Sequence, residues 1–262
     1  MKQAPFSHDP SIQQRRQSLK RLPEITIYFW IIKLLTTGMG ETTSDYLAHQ
    51  MKPILAVAFT GIGLLIALVL QFTVRCYIPW VYWLAILMVA IFGTMAADAI
   101  HVGLGVSYPL STAGFAIVLV SIFLVWYLSE KTLSINQIHT TRREIFYWTT
   151  VMATFALGTA AGDMTASSLE LGYFTSGLLF GGLFILSIFA YWSSRFYGVG
   201  AFWFAYILTR PLGASFADLI GKPVLHGGLG FGTGRISIVL GAIIFVFVVW
   251  LTFSRQGNSS TS

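Results

Sequence analysis

Four tryptophans, Trp30, Trp83, Trp148 and Trp203, each stand ten residues before a glycine (Gly40, Gly93, Gly158, Gly213) and fifteen before an aspartate (Asp45, Asp98, Asp163, Asp218). An aromatic residue immediately precedes every one of them: Phe29, Tyr82, Tyr147 and Phe202. The pattern [FY]-W-x9-G-x4-D thus recurs with its aspartates 53, 65 and 55 residues apart, which makes the chain a fourfold internal repeat. Whatever one copy forms, four copies must form together.

Composition states the solvent. The 262 residues are 55% hydrophobic and only 10% charged, where a soluble domain carries about 25% charged residues, and mean hydropathy is +0.73. Apolar runs recur at about 25–47, 53–73, 78–101, 108–129, 145–168, 173–194, 200–220 and 234–254, each long enough to cross about 30 Å of hydrocarbon as a helix. They are continuous rather than alternating, which excludes β-barrel strands. The expected fold is all-α: a polytopic membrane protein with eight transmembrane helices in four two-helix repeats, roughly 24–75, 76–143, 144–197 and 198–255. Two spans per repeat make the repeats parallel, related by an axis along the membrane normal. A pseudo-fourfold bundle follows, with the motif-bearing odd spans inside and the plainer even spans toward lipid.

A basic tail, 1–23, and a Ser/Thr-rich end, 256–262, expected to be disordered, flank this domain. The tail shows no signal-peptide pattern. With the N-terminus inside, eleven Lys and Arg fall in inner segments and three, Lys52, Lys222 and Arg235, in outer loops, so both termini are expected in the cytoplasm. That topology and attraction to anionic lipid account for the net charge of +6. The basic cluster Arg15, Arg16, Lys20, Arg21 has no interleaved aromatics, so no nucleic-acid partner is expected. One cysteine, Cys76, permits neither an intrachain disulfide nor a thiolate metal cluster.

Fifteen residues of helix place each aspartate roughly 22 Å beyond its tryptophan, toward the outer face. The tryptophans then read as interfacial anchors, with packing inside the bundle as the other reading. The glycines read as close-packing positions, or as breaks that expose carbonyls. Four residues before the aspartates stand Glu41, Thr94, Thr159 and Ala214, on the same helical face. If the odd spans converge, Asp45, Asp98, Asp163, Asp218, Glu41, Thr94 and Thr159 offer hard oxygen ligands to one cavity, the four aspartates being the candidate metal ligands. Such ligands suit Mg²⁺, Mn²⁺, Ca²⁺, Na⁺ or a proton. Helix capping is the plainer role for an aspartate, but these stand at outgoing helix ends, where the dipole disfavours negative charge. Lys33, Arg210 and His101 are the candidate tuning groups or counter-ions. Arg210 directly precedes Pro211, which can kink its span, and His101 follows Asp98 by three residues, near enough to share a face though expected to be solvent-exposed.

No Gly-x-Ser-x-Gly, His-Glu-x-x-His or P-loop is present, and the glycine-rich stretch Gly227–Gly234 lacks the Lys-Ser/Thr end of a phosphate loop. The chain is therefore not expected to be an enzyme or to need a cofactor. The copies at 28–47, 82–101, 147–166 and 202–221, with Thr36–Asp45 (TTGMGETTSD), Gly93–Asp98 (GTMAAD), Gly158–Asp163 (GTAAGD) and Thr209–Asp218 (TRPLGASFAD), resemble a family of bacterial membrane proteins built from four tandem two-span repeats bearing a tryptophan. The resemblance implies an integral protein of the bacterial inner membrane. The family is a repeat of unknown function, so it implies no substrate. The residues themselves suggest a secondary transporter of a small inorganic cation, preferably divalent such as Mn²⁺ or Mg²⁺, coupled to protons or Na⁺. The alternative is a non-transporting sensor or assembly module, with an intramembrane enzyme using Asp98 and His101 a distant third. The lipid bilayer and the cation are the expected partners, and a homo-oligomer is compatible with the sequence.

Overall fold

The computed structural model describes residues 21–74, 76–193 and 198–259. The basic tail up to Lys20, Arg75 and Arg195 of the orientation argument, and Ser260–Ser262 lie outside these. Eight long helices follow one another: α1 Ile27–Gln50, α2 Pro53–Thr73, α3 Pro79–Asp98, α4 Tyr108–Glu130, α5 Thr141–Asp163, α6 Gly172–Ser193, α7 Gly198–Gly221 and α8 Thr233–Ser259. No strand occurs among the described residues. Local chemistry sets the ends. Thr26 and Thr140 cap α1 and α5 by accepting from the Phe29 and Arg143 amides, which satisfies donors a helix start leaves open. Prolines open α2, α3 and α4, where a missing N–H costs nothing. The last helix runs on to Ser259, into the stretch read from sequence as a tail.

The four odd helices close a ring in which α1 packs on α3, α3 on α5, α5 on α7 and α7 on α1. Each even helix lies against the odd helix of the following repeat: α2 on α3, α4 on α5, α6 on α7, with α8 returning to α1. Five helices, α3 and the four even ones, are long and apolar enough to cross a membrane by themselves. Within their apolar windows the even helices bury only 17–22%, whereas α3 buries 50%. Ile54, Phe59, Ile117, Val120, Phe189 and Phe245 therefore point outward from the even helices, as lipid requires of a polytopic membrane protein. The odd helices α1, α5 and α7 are less apolar because they carry the polar groups of the interior.

The repeat is visible in the packing. Each aromatic of the motif meets the tryptophan of the next repeat: Phe29 on Trp83, Tyr82 on Trp148 and Phe202 on Trp30 at 5.7 Å between centroids, Tyr147 on Trp203 at 6.2 Å. The four tryptophans are 2–4% exposed. They are the girdle that closes the ring, and the reading as interfacial anchors is corrected: an indole flanked by a neighbour's ring buries more area there than at a headgroup boundary. The motif glycines close the same ring one level on. A Cβ on Gly40, Gly93, Gly158 or Gly213 would run into Ala90, Phe155, Arg210 or Thr37, each the seventh residue after the next repeat's tryptophan. The helices pass through all four glycines unbroken, so these residues serve close approach rather than carbonyl exposure.

Candidate functional site

On each odd helix a stripe at four-residue spacing faces the ring's interior. It reads Phe29, Lys33, Thr37, Glu41, Asp45 on α1 and Tyr82, Ile86, Ala90, Thr94, Asp98 on α3. On α5 it reads Tyr147, Val151, Phe155, Thr159, Asp163, and on α7 Phe202, Tyr206, Arg210, Ala214, Asp218. All of these are buried except Asp45, Asp98 and Asp163, which are partly exposed at the mouth. The interior is thus layered, from an aromatic floor to an acidic rim.

Arg210 ties the middle layers together. Its Nη2 donates to Glu41 Oε2 at 2.5 Å, to Thr159 Oγ1 at 3.0 Å and to Thr94 Oγ1, its Nε to Thr159 Oγ1 at 3.2 Å, and its Nη1 to the Thr37 carbonyl at 3.0 Å. Thr94 and Thr159 turn their own protons back to the Ala90 and Phe155 carbonyls, leaving oxygen lone pairs for the guanidinium. The Thr37 hydroxyl answers by donating to the Thr209 carbonyl at 3.0 Å. Glu41, Thr94 and Thr159 do come together from three repeats, and they meet on this fixed cation. Arg210 and Glu41 are 1% and 3% exposed, so the pair is charge-assisted and shielded from water. Pro211 lies inside α7, which continues through it to Gly221. Lys33 is 0% exposed and its Nζ has no hydrogen-bond partner. It sits 4.0 Å from the Phe155 ring centroid and 4.1 Å from that of Tyr206, a cation–π seat.

The acidic rim divides in two. Lys222, just past α7, reaches Asp218 Oδ2 at 3.0 Å and Asp45 Oδ2 at 3.6 Å. Burial opposes its charge, but Asp218, Asp45 and Glu41 outweigh that, so the ammonium is held well above the ordinary lysine range. A raised folded value means the contribution is fully present below the unfolded pKa, about 10.4, and is lost only as pH rises through the folded one. Lys222 is therefore a permanent cation at physiological pH. Glu41, Asp45 and Asp218 each offer an oxygen within 4.8 Å of the others, and Asp218 Oδ1 is buried without a partner. Asp98 and Asp163 have neither ion pair nor side-chain hydrogen bond among the described residues, yet their charges interact with each other and with Glu41 and Asp45. After each of these two aspartates the chain widens into a π-helical turn, Ala99–Gly103 and Met164–Ser168, a local irregularity common at functional sites. A cavity of about 550 Å³, lined by Asp45, His49, Tyr173, Lys222 and His226 among others, opens at this rim.

His101 corrects the sequence reading. It is buried, only 8% exposed, and its ring nitrogens bond the Val106 carbonyl at 2.9 Å and Ser111 Oγ at 3.2 Å. It latches the π turn to the start of α4 and makes no bond to Asp98. The end of the bundle opposite the acidic rim holds what the sequence reading missed. Glu144, wholly buried, accepts from Arg21 Nη1 at 2.5 Å and Gln71 Nε2 at 2.9 Å. Beside it the Tyr82 and Tyr147 hydroxyls bond at 2.6 Å. Glu144 resembles an ordinary first-turn acid; its place four residues before Trp148, in phase with the tryptophan that closes the ring, is the signal that marks it.

The chain matches the model of the Repeat of Unknown Function (DUF347) four times, over residues 28–77, 81–132, 146–197 and 201–256, and belongs to that family. No curated protein and no solved structure matches it.

Proposed function

We propose that this four-repeat protein is a secondary transporter of a small inorganic cation, preferably divalent such as Mn²⁺ or Mg²⁺, exchanged for protons or Na⁺. We place it in the bacterial inner membrane with both termini cytoplasmic, on the bias of Lys and Arg toward the inner segments. The observation that carries the reading is the charge balance at the acidic rim: four aspartates, Asp45, Asp98, Asp163 and Asp218, share a single ammonium, Lys222, while Glu41 beside them is paired with Arg210. Carboxylates so placed in a membrane need further positive charge, and hard oxygens favour a hard cation. Beneath them Arg210, bonded to Glu41, closes the axis. Release of that pair would connect the rim to the interior.

The test is flux of Mn²⁺, Mg²⁺, Ca²⁺ and Na⁺ into sealed liposomes holding the purified protein, under an imposed pH gradient. Flux of one cation is expected, and it should disappear in Asp98→Asn and in Asp163→Asn. Full activity with both neutralised together would sink the assignment. No flux from folded, oriented protein would favour the non-transporting module, a reading that the fully bonded Arg210 cluster suits as a rigid core.

Lys222 gives a second prediction. Without its ammonium Asp45 and Asp218 repel each other, so Lys222→Met should lower the melting temperature in chelator. The transported divalent ion should then restore more stability to the variant than to wild type, because a ligand that binds only the folded state stabilises it. An equal shift in both proteins would place the cation elsewhere.

A further inference from the structure

The cavity at the acidic rim is lined by more than acids. Asp45 and Lys222 face it together with two imidazoles, His49 and His226, and no cysteine or methionine shares its walls. His49 stands in the last turn of α1, four residues after Asp45. His226 ends a short 3₁₀ turn, Val224–His226, in the loop between α7 and α8.

Asp45 orients His49. The imidazole Nδ1 donates to the Asp45 carbonyl at 2.6 Å. A carbonyl only accepts, so Nδ1 carries the proton, and on the neutral ring Nε2 holds the lone pair. Backbone carbonyls hold the spare N–H of metal-binding histidines in the same way, fixing the ring and its tautomer. Residues four apart on a helix share a face and can hold one ion between them. The Asp45 carboxylate and the ring bonded to its carbonyl are therefore neighbours, and their charges interact. That carboxylate also belongs to the trio with Glu41 and Asp218, whose oxygens lie within 4.8 Å of one another. Glu41 is tied to Arg210. Asp218, 3% exposed, keeps Oδ1 buried without a partner, and Asp45 Oδ2 makes no hydrogen bond. Acceptors without donors thus stand beside an oriented imidazole.

We propose that this cavity is the entry site for a divalent first-row transition-metal ion, selected by His49 and His226 and passed to Asp45 and Asp218; that the ion is cargo rests on the transport reading. Mg²⁺ and Ca²⁺ take oxygen ligands, so imidazoles add nothing to their binding. Imidazole suits the borderline ions, and walls without sulfur disfavour soft Cu⁺. Mn²⁺ and Fe²⁺ stand at the weak-binding end of that series, which suits an ion that has to leave again. The cavity, about 550 Å³, has room for an ion with its water shell at about 30 Å³ per water. The ion's charge replaces that of Lys222 at the carboxylates. The Lys222 ammonium also lies 5.3 Å from the Tyr173 ring, a second seat on the wall of the same cavity.

The experiment titrates the full-length protein in detergent with Mn²⁺ and with Mg²⁺, and records pulsed electron paramagnetic resonance of the Mn²⁺-loaded form. Wild type is expected to bind Mn²⁺ about tenfold or more tighter than Mg²⁺ and to show hyperfine coupling from imidazole nitrogen. His49→Gln should weaken Mn²⁺ binding by about tenfold or more, reduce that coupling, and leave Mg²⁺ affinity and melting temperature unchanged. His226→Gln should act in the same direction. Both histidines are exposed, so neither change threatens the fold. If His49 serves only to end α1, its substitution lowers the melting temperature and leaves the preference between the two ions alone, which overturns the proposal. Equal affinity for the two ions in wild type overturns it too, as does nitrogen coupling that survives Asp45→Asn, the mark of an isolated surface histidine. Selective Mn²⁺ binding that His49→Gln abolishes, with no flux in liposomes, keeps the metal site and removes only the transport reading. Flux of Mg²⁺ undisturbed by Mn²⁺ does the reverse.

Discussion

Replacing Arg210 by methionine is expected to destabilise the folded bundle by roughly 3–5 kcal/mol, the cost of leaving one member of a buried ion pair alone. Glu41, 3% exposed, would keep its charge with no cation on it, and Thr159 and Thr94 would lose the donor they face. Lys33 offers no substitute: it lies eight residues from Glu41 on the same helix, about 12 Å along the axis. Because the penalty belongs to the orphaned acid, removing that acid should recover most of it, and Arg210→Met/Glu41→Gln should unfold close to wild type. Chemical or thermal unfolding in detergent reads both. A loss below about 1 kcal/mol for the single variant, the scale of an ordinary hydrogen bond in a membrane bundle, would show that Glu41 finds water or another partner. A double variant as unstable as the single one would put the cost in lost packing against Gly158 instead.

The tetrad carried much of this architecture openly. Four equal motifs at parallel positions require four equivalent environments, and a closed ring of odd helices supplies them. What the motif could not reveal is rotation about each helix and the order of contacts. Nothing in the sequence says that α2 prefers α3 to its own partner α1, or that Phe29 lies on Trp83 rather than on Trp203. The tryptophans looked like lipid anchors because composition places indoles at interfaces. Their fixed aromatic neighbours were the better guide, since adjacent helical residues point about 100° apart, one to the axis and one to the next helix. His101 failed for a local reason. Three residues put it on the face of Asp98 only if the α-helix continues, and the π turn that begins at Ala99 rotates it away, onto Val106 and Ser111. Glu41, Thr94 and Thr159 were legible as a converging set, but not what they converge on. Arg210 stands one turn away from their register, on the repeat that has Ala214 in the matching place, so the one repeat without an oxygen provides the cation.

Alanine at the motif glycines should sort by what each methyl would meet. At Gly40 the Cβ would stand 2.5 Å from the Ala90 Cβ and 2.9 Å from its carbonyl carbon. Backbone cannot move aside without parting α1 from α3. At Gly158 it would stand 2.5 Å from Arg210 Cβ and Cγ, and that side chain is held at its far end by Glu41 and three threonines. At Gly213 it would overlap the Thr37 hydroxyl, with Gly38 N at 3.1 Å behind it. Overpacking of this kind costs about 1–3 kcal/mol, and these three should lie at or above the top of that range. Gly93→Ala, whose nearest neighbour is Phe155 Cβ at 3.0 Å, should cost less. Gly114 and Gly182 are the internal controls: each lies within a helix with nothing inside 4 Å, so alanine there should be neutral or stabilise by about 0.5–1 kcal/mol. Ala90→Gly should rescue Gly40→Ala only in part, because it removes the methyl clash and leaves the backbone one. Thermal unfolding across the series decides the matter. If all four motif variants melt with the two controls, the ring is looser than these contacts require, and Arg210 rather than helix proximity is what holds the repeats in register.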